Sequence, residues 1–85
     1  MNHILKIWPQ YYEPLLEGDK TFEVRQNDRG FQRGDALWFV EVSSDEPHIP
    51  TGRRATATVS YVHSGLGMDP GYVSLGLRDV EEFRP

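Results

Sequence analysis

The chain has 85 residues, no cysteine, 38% apolar residues and a formal net charge of -4. That length bounds it to one domain, residues 1–85, with apolar content for one compact core rather than a disordered tail. The missing cysteines exclude a disulfide framework, a thiolate zinc site and a thiol nucleophile, and the acidic balance argues against non-specific binding of a long duplex.

The amino end, Met1 to Pro9, is too short and too broken for a signal peptide, and no apolar run approaches the length of a membrane span. A cytoplasmic chain is the expectation. His3–Trp8 reads as a first strand with His3, Leu5 and Ile7 on one face, stopped by Pro9. Tyr11–Glu17 reads as a short helix closed by Gly18, its start set by the need to keep Pro14 within the first turn. Thr21–Gln26 is the second strand. Its alternation sends Phe22 and Val24 towards the core and presents Thr21, Glu23 and Arg25 on the other side.

Asn27-Asp28-Arg29-Gly30 and Gly34-Asp35 are turns by composition, with Phe31 between them as a core anchor. Ala36–Val42 is apolar on both faces up to Glu41, so it predicts a strand covered on both sides, with Trp38 in the core. Ser43–Gly52 reads as a loop. Arg54–His63 alternates, with Ala55, Ala57, Val59 and Tyr61 on one side. Ser64–Gly71 is a second loop, Tyr72–Leu77 the last strand, and Asp79–Pro85 a tail that adds a turn or frays. The sum is a mostly β (α+β) domain, a small mixed β-barrel with one short N-terminal helix.

Lys20, Arg25, Arg29 and Arg33 fall within fourteen residues, a local positive patch suited to a small anionic ligand or a few phosphates. Lys20 stands at a strand entrance, where it can hold a phosphate as a point charge or, desolvated, act as a base. Glu23 and Arg25 are two apart on one strand face, so their tips can meet. As an exposed pair they are worth roughly 0–1 kcal/mol. As a site, Arg25 offers its planar fork to a phosphate or base edge while Glu23 orients it or accepts from an exocyclic amine.

In the following turn Asn27 and Asp28 are suited to bonding their own backbone, and Arg29 to a ligand. His3 and Glu41 end apolar strand faces, at the barrel rim or a cleft mouth. His3, His48 and His63 have no ligand spacing, so no metal is expected. Trp8, Tyr11 and Tyr12 are rings that stack on bases or pack the helix. No Walker loop, dinucleotide fingerprint or nucleophile elbow is present, and no cofactor is implied.

Gly18-x-Lys20-Thr21-x-Glu23-x-Arg25 after a short helix, followed by Asn27-Asp28-Arg29-x-Phe31-x-x-Gly34-Asp35, resembles the ASCH domains of the PUA-like β-barrels. Within them it is most similar to a small family of unassigned function from bacteria and their phages, with His3, Leu5 and Lys6 fitting the start and Glu41 and Thr51-Gly52-Arg53 the later part. The resemblance runs from His3 to about Leu77. It implies a cleft bordered by the helix and early strands, with RNA as the ligand proposed for relatives. One branch hydrolyses acetylated cytidine nucleosides with the lysine corresponding to Lys20, but carries a threonine where this chain has Glu23.

The leading expectation is therefore a module binding RNA, single-stranded nucleic acid or a nucleotide through Lys20, Glu23, Arg25, Arg29, Asn27, Glu41 and His3. The alternative is a small amidohydrolase acting on a modified nucleoside, with Lys20 as base and Glu23 in support. A third reading is a protein-interaction module, marked by an apolar surface around Leu66 and Met68.

Overall fold

In the computed structural model, which describes residues 1–83, five strands and one helix form in the order β1 (Asn2–Ile7), α1 (Pro9–Glu17), β2 (Phe22–Gln26), β3 (Ala36–Val42), β4 (Pro50–His63) and β5 (Tyr72–Glu82). The strands make one sheet in the spatial order β1-β3-β4-β5-β2. β1 and β3 are parallel, and every other pair is antiparallel. The sheet curls into a half-barrel with a Cα radius of gyration of 12.7 Å. β1 and β2 are its two edges.

The concave face holds the core: Leu5 and Ile7 of β1, Leu37 and Phe39 of β3, Val59 of β4, and Leu75 of β5, all buried. Phe31, between the two turns, is buried there as expected. α1 contributes Tyr12 and Leu15, both fully buried. It starts earlier than Pro14 suggested, because Pro9 fills the first helical position and its missing N–H leaves no ladder gap. The carbonyl of Trp8 accepts from Tyr11 and Tyr12 N–H, at 3.0 Å each. Pro14 sits deeper, where its missing N–H forfeits one bond to Gln10. Gly18, at φ 84°, ends the helix in the left-handed conformation.

Five readings of the sequence are corrected. Phe22 and Val24 are half exposed, and Glu23 is the buried residue of β2. The pairing with β5 decides this: Glu23 lies opposite Leu75 and Arg25 opposite Val73, and residues directly opposed share a face. In β4 the register shifts between Val59 and Tyr61, and the extra residue of this bulge turns Tyr61 outward and Val62 towards the core. β4 also begins at Pro50, inside the segment read as loop, and β5 runs on to Glu82 rather than fraying; Arg84 and Pro85 lie outside the described residues. Trp38 is only half buried, on the face opposite Leu37 and Phe39.

Candidate nucleic-acid interface

The two sheet edges face each other across an open seam. Leu77 N–H bonds Thr21 O and Asn27 N–H bonds Gly71 O, so β2 pairs with β5 through its odd-numbered residues. The backbone of Phe22, Val24 and Gln26 is therefore turned to the seam. On the other side Ala36 N–H bonds Met1 O, which leaves the backbone of Asn2, Ile4 and Lys6 turned to it as well.

Side chains lace this gap where a closed barrel would use a ladder. Arg25 Nη2 donates to Lys6 O at 2.5 Å, and Arg29 Nη1 donates to Ile4 O at 2.5 Å. A guanidinium has five donors, so each arginine satisfies an edge carbonyl and keeps N–H groups for other acceptors. Arg25 Nε also donates to Glu23 Oε2 at 2.7 Å, and Lys20 Nζ bonds both Glu23 Oε1 and, at 2.7 Å, Phe22 O. Both Glu23 oxygens thus accept from a cation, and the buried carboxylate fixes Lys20 and Arg25 at the seam. Asn27 is structural: its Oδ1 accepts from Phe31 N–H at 3.0 Å and closes the turn.

A cleft of about 510 Å³ lies along the seam. Lys6, Arg25 and Arg29 set three cations on it against the carboxylates of Glu23 and Asp28, and Trp8, Tyr11 and Tyr72 add exposed rings. Trp8 stacks on Tyr11 with centroids 6.2 Å apart, and His48 extends the stack on Trp8's side at 6.1 Å. A second cleft of about 570 Å³ adjoins it between α1 and β2, walled by Tyr11, Pro14, Phe22 and Val24, with Lys20 and Glu23 at its polar end.

His3 and Glu41 belong to two other clusters. His3 Nε2 lies 2.8 Å from Asp35 Oδ2, and its ring meets Phe31 edge-on at 4.7 Å. Burial alone would raise the Asp35 carboxyl, but hydrogen bonds from His3 and Gln32 N–H outweigh it and hold it below its ordinary 3.8. Glu41 is buried, not at a cleft mouth. It accepts from Arg53 Nε and Nη2, both at 3.0 Å, and from Thr51 Oγ1 at 2.5 Å. Arg53 holds its carboxyl below the usual 4.5, against the opposing pull of burial, and Thr51 helps.

The same guanidinium reaches Glu13 at 2.6 Å and lies 4.6 Å over the Tyr12 ring. Bonds to Glu41 and Glu13 raise the Arg53 pKa. Tyr12 donates to Glu82 at 2.9 Å; burial, then Glu82, raises its phenol. Fully buried, Tyr12 offers no face to a ligand.

The structure therefore gathers Lys20, Glu23, Arg25 and Arg29 and separates His3 and Glu41 from them. Lys6 and Tyr72 also line the cleft and were not among the candidates read from the sequence. Lys6 carried a signal, since it alternates with the buried Leu5 and Ile7 and so stands on the edge strand's outer side. Tyr72 reaches the seam only through the pairing of β5 with β2, opposite Gln26. Among the described residues no cluster could hold a metal ion, and no helix is long and apolar enough to cross a membrane.

The profile of a family described as a domain of unknown function, DUF3850, matches residues 2–77. The chain is also similar to the "Uncharacterized 12.9 kDa protein in GpA 3'region" of Escherichia phage P2, at 35% identity over 60 residues. That match takes in 71% of the chain and 52% of the phage protein, so the chain spans about half the length of this relative.

Proposed function

We propose that this chain, which belongs to the DUF3850 family, binds single-stranded RNA or a nucleotide within such a strand, in the seam cleft. A kinship with the ASCH and PUA-like barrels is part of the same reading. The carrying observation is the seam itself: Lys6, Arg25 and Arg29 converge with Trp8, Tyr11 and Tyr72 on one cleft of a chain whose net charge is -4. Phosphates take the spare guanidinium N–H groups, and an unstacked base lies on the Trp8–Tyr11 stack. Glu23 accepts from an exocyclic amine through the lone pairs that Lys20 and Arg25 leave over.

Hydrolysis of a modified nucleoside has less support. Lys20 spends two N–H bonds on Phe22 O and Glu23, and Glu23 is engaged at both oxygens.

Filter binding with a panel of short RNAs tests the reading. Arg29→Ala should weaken binding about tenfold and reduce the slope of log affinity against log salt by about 1. Unchanged affinity and slope would remove the seam as the binding site.

A further inference from the structure

The convex face of β2, β5 and β4 carries a second set of rings. Phe22 and Tyr61 both lie opposite Gly76, and Val24 and His63 both lie opposite Ser74. Tyr72 and Gln26 form the next row. These residues point away from the core, and Tyr61, Phe22, Val24 and Tyr72 are 65%, 50%, 50% and 42% exposed. Two local features put them there, the bulge after Val59 and the inward turn of Glu23.

Gly76 lets β4 approach closely: a Cβ there would meet Ser60 Oγ at 2.7 Å and Tyr61 Cβ at 3.4 Å. Phe22 and Tyr61 stand two strand spacings apart, roughly 10 Å between backbones. From Tyr72 to Arg78 this face of the three strands carries no carboxylate, on a chain with thirteen Asp and Glu. Two ion-paired cations stand at its margin: Lys20 Nζ, bonded to Glu23, lies 5.5 Å from the Phe22 centroid, and Arg78, with Asp79 at 3.7 Å, occupies the row beyond Gly76. Val24 and Tyr72 also wall the seam cleft, so the two surfaces are continuous over β2.

We propose that this convex face is a second binding surface, on which unpaired bases of a single-stranded polynucleotide stack against the exposed rings of Phe22, Tyr61 and Tyr72. It extends the seam reading, since the strand held in the cleft continues onto it. Rings spaced across a sheet with cations at the margin suit a strand whose bases are splayed and whose phosphates follow the rim. An apolar protein partner would not call for the flanking cations.

Fluorescence anisotropy with a labelled uridine dinucleotide and an oligouridylate of about ten residues separates the two surfaces. Tyr61→Ala should weaken the longer oligomer at least about fivefold and leave the dinucleotide unchanged, while Tyr61→Phe retains binding. Tyr61 is 65% exposed, so the substitution leaves the core intact, which circular dichroism checks.

Equal affinity of Tyr61→Ala and the parent chain for the oligomer overturns the proposal. So does failure of the oligomer to bind at all. Sedimentation showing that Tyr61→Ala merely splits a dimer, with oligomer binding unaltered, assigns the face to a second copy and overturns it too. If the dinucleotide alone fails to bind while the oligomer still depends on Tyr61, the seam reading falls and the convex surface stands.

Discussion

Glu23 and Glu41 are both buried on strands and both hold an arginine, yet their surroundings differ. Glu41 is enclosed: Thr51 and Arg53 take its oxygens, Arg53 binds Glu13 as a second carboxylate, and the Tyr12 ring lies beneath the guanidinium. Its partners come from β4 and α1, so the cluster ties the helix to the sheet. Glu23 stands at an opening. Its cations Lys20 and Arg25 bond the edge carbonyls of Phe22 and Lys6, beside about 510 Å³ of cleft. One pairing is spent on architecture, whereas the other holds positive charge ready beside open space.

The largest expected effect breaks this contrast directly. Arg53→Ala leaves the buried Glu41 carboxylate with only the Thr51 hydroxyl, and removing one partner of such a pair is costly. Arg53 is partly exposed, so about 2–3 kcal/mol is expected, or about 10 °C or more in Tm for a domain this small. Arg25→Ala still leaves Glu23 its Lys20, and should cost less. Thermal unfolding of both variants decides, and a larger loss for Arg25→Ala would reverse the roles assigned here.

A smaller effect appears in acid. The Glu41 and Asp35 carboxyls are held below their ordinary 4.5 and 3.8 in the folded chain. The unfolded chain therefore binds more protons between the unfolded and folded pKa values, and stability rises with pH across that window. The contribution is complete above the unfolded values and is lost as pH falls through the folded ones, from about pH 5 downwards. Glu41→Gln should flatten this acid limb in a series of melts while leaving a residual slope from Asp35. A wild-type Tm that does not change between about pH 5 and pH 3 would contradict both assignments.

What could be read from residues alone follows the same division. β1 was legible, because an apolar face of even period has one natural place to go, and so were the Phe31 anchor and the bounds of β3, though not the half-exposed face on which Trp38 stands. The Glu23–Arg25 contact was legible too, from two-residue spacing. The face of β2 was not. Both of its sides are plausible insides, one apolar and one charged, and only the partner strand, with Leu75 opposite Glu23, chooses between them. Arg25 and Arg29 were legible as candidate site cations, but their bonds to Lys6 O and Ile4 O were not, since a backbone acceptor leaves no mark on the sequence. The β4 bulge likewise shifts the alternation by one residue, which no single-strand pattern announces.

The smallest effect sharpens the contrast at its origin, the orientation of β2. Were Val24 a core anchor, Val24→Thr would bury a hydroxyl without a partner and cost about 1–3 kcal/mol. Half exposed on the convex face, Val24 gives the new hydroxyl to water, and threonine suits a strand. The expected change in unfolding free energy is within about 0.5 kcal/mol, measured by urea titration. A loss well beyond that would turn Val24 inward, and by the two-residue period Glu23 and Arg25 would then face outward. The seam would lose its buried carboxylate, and the distinction between a closed and an open cluster would go with it.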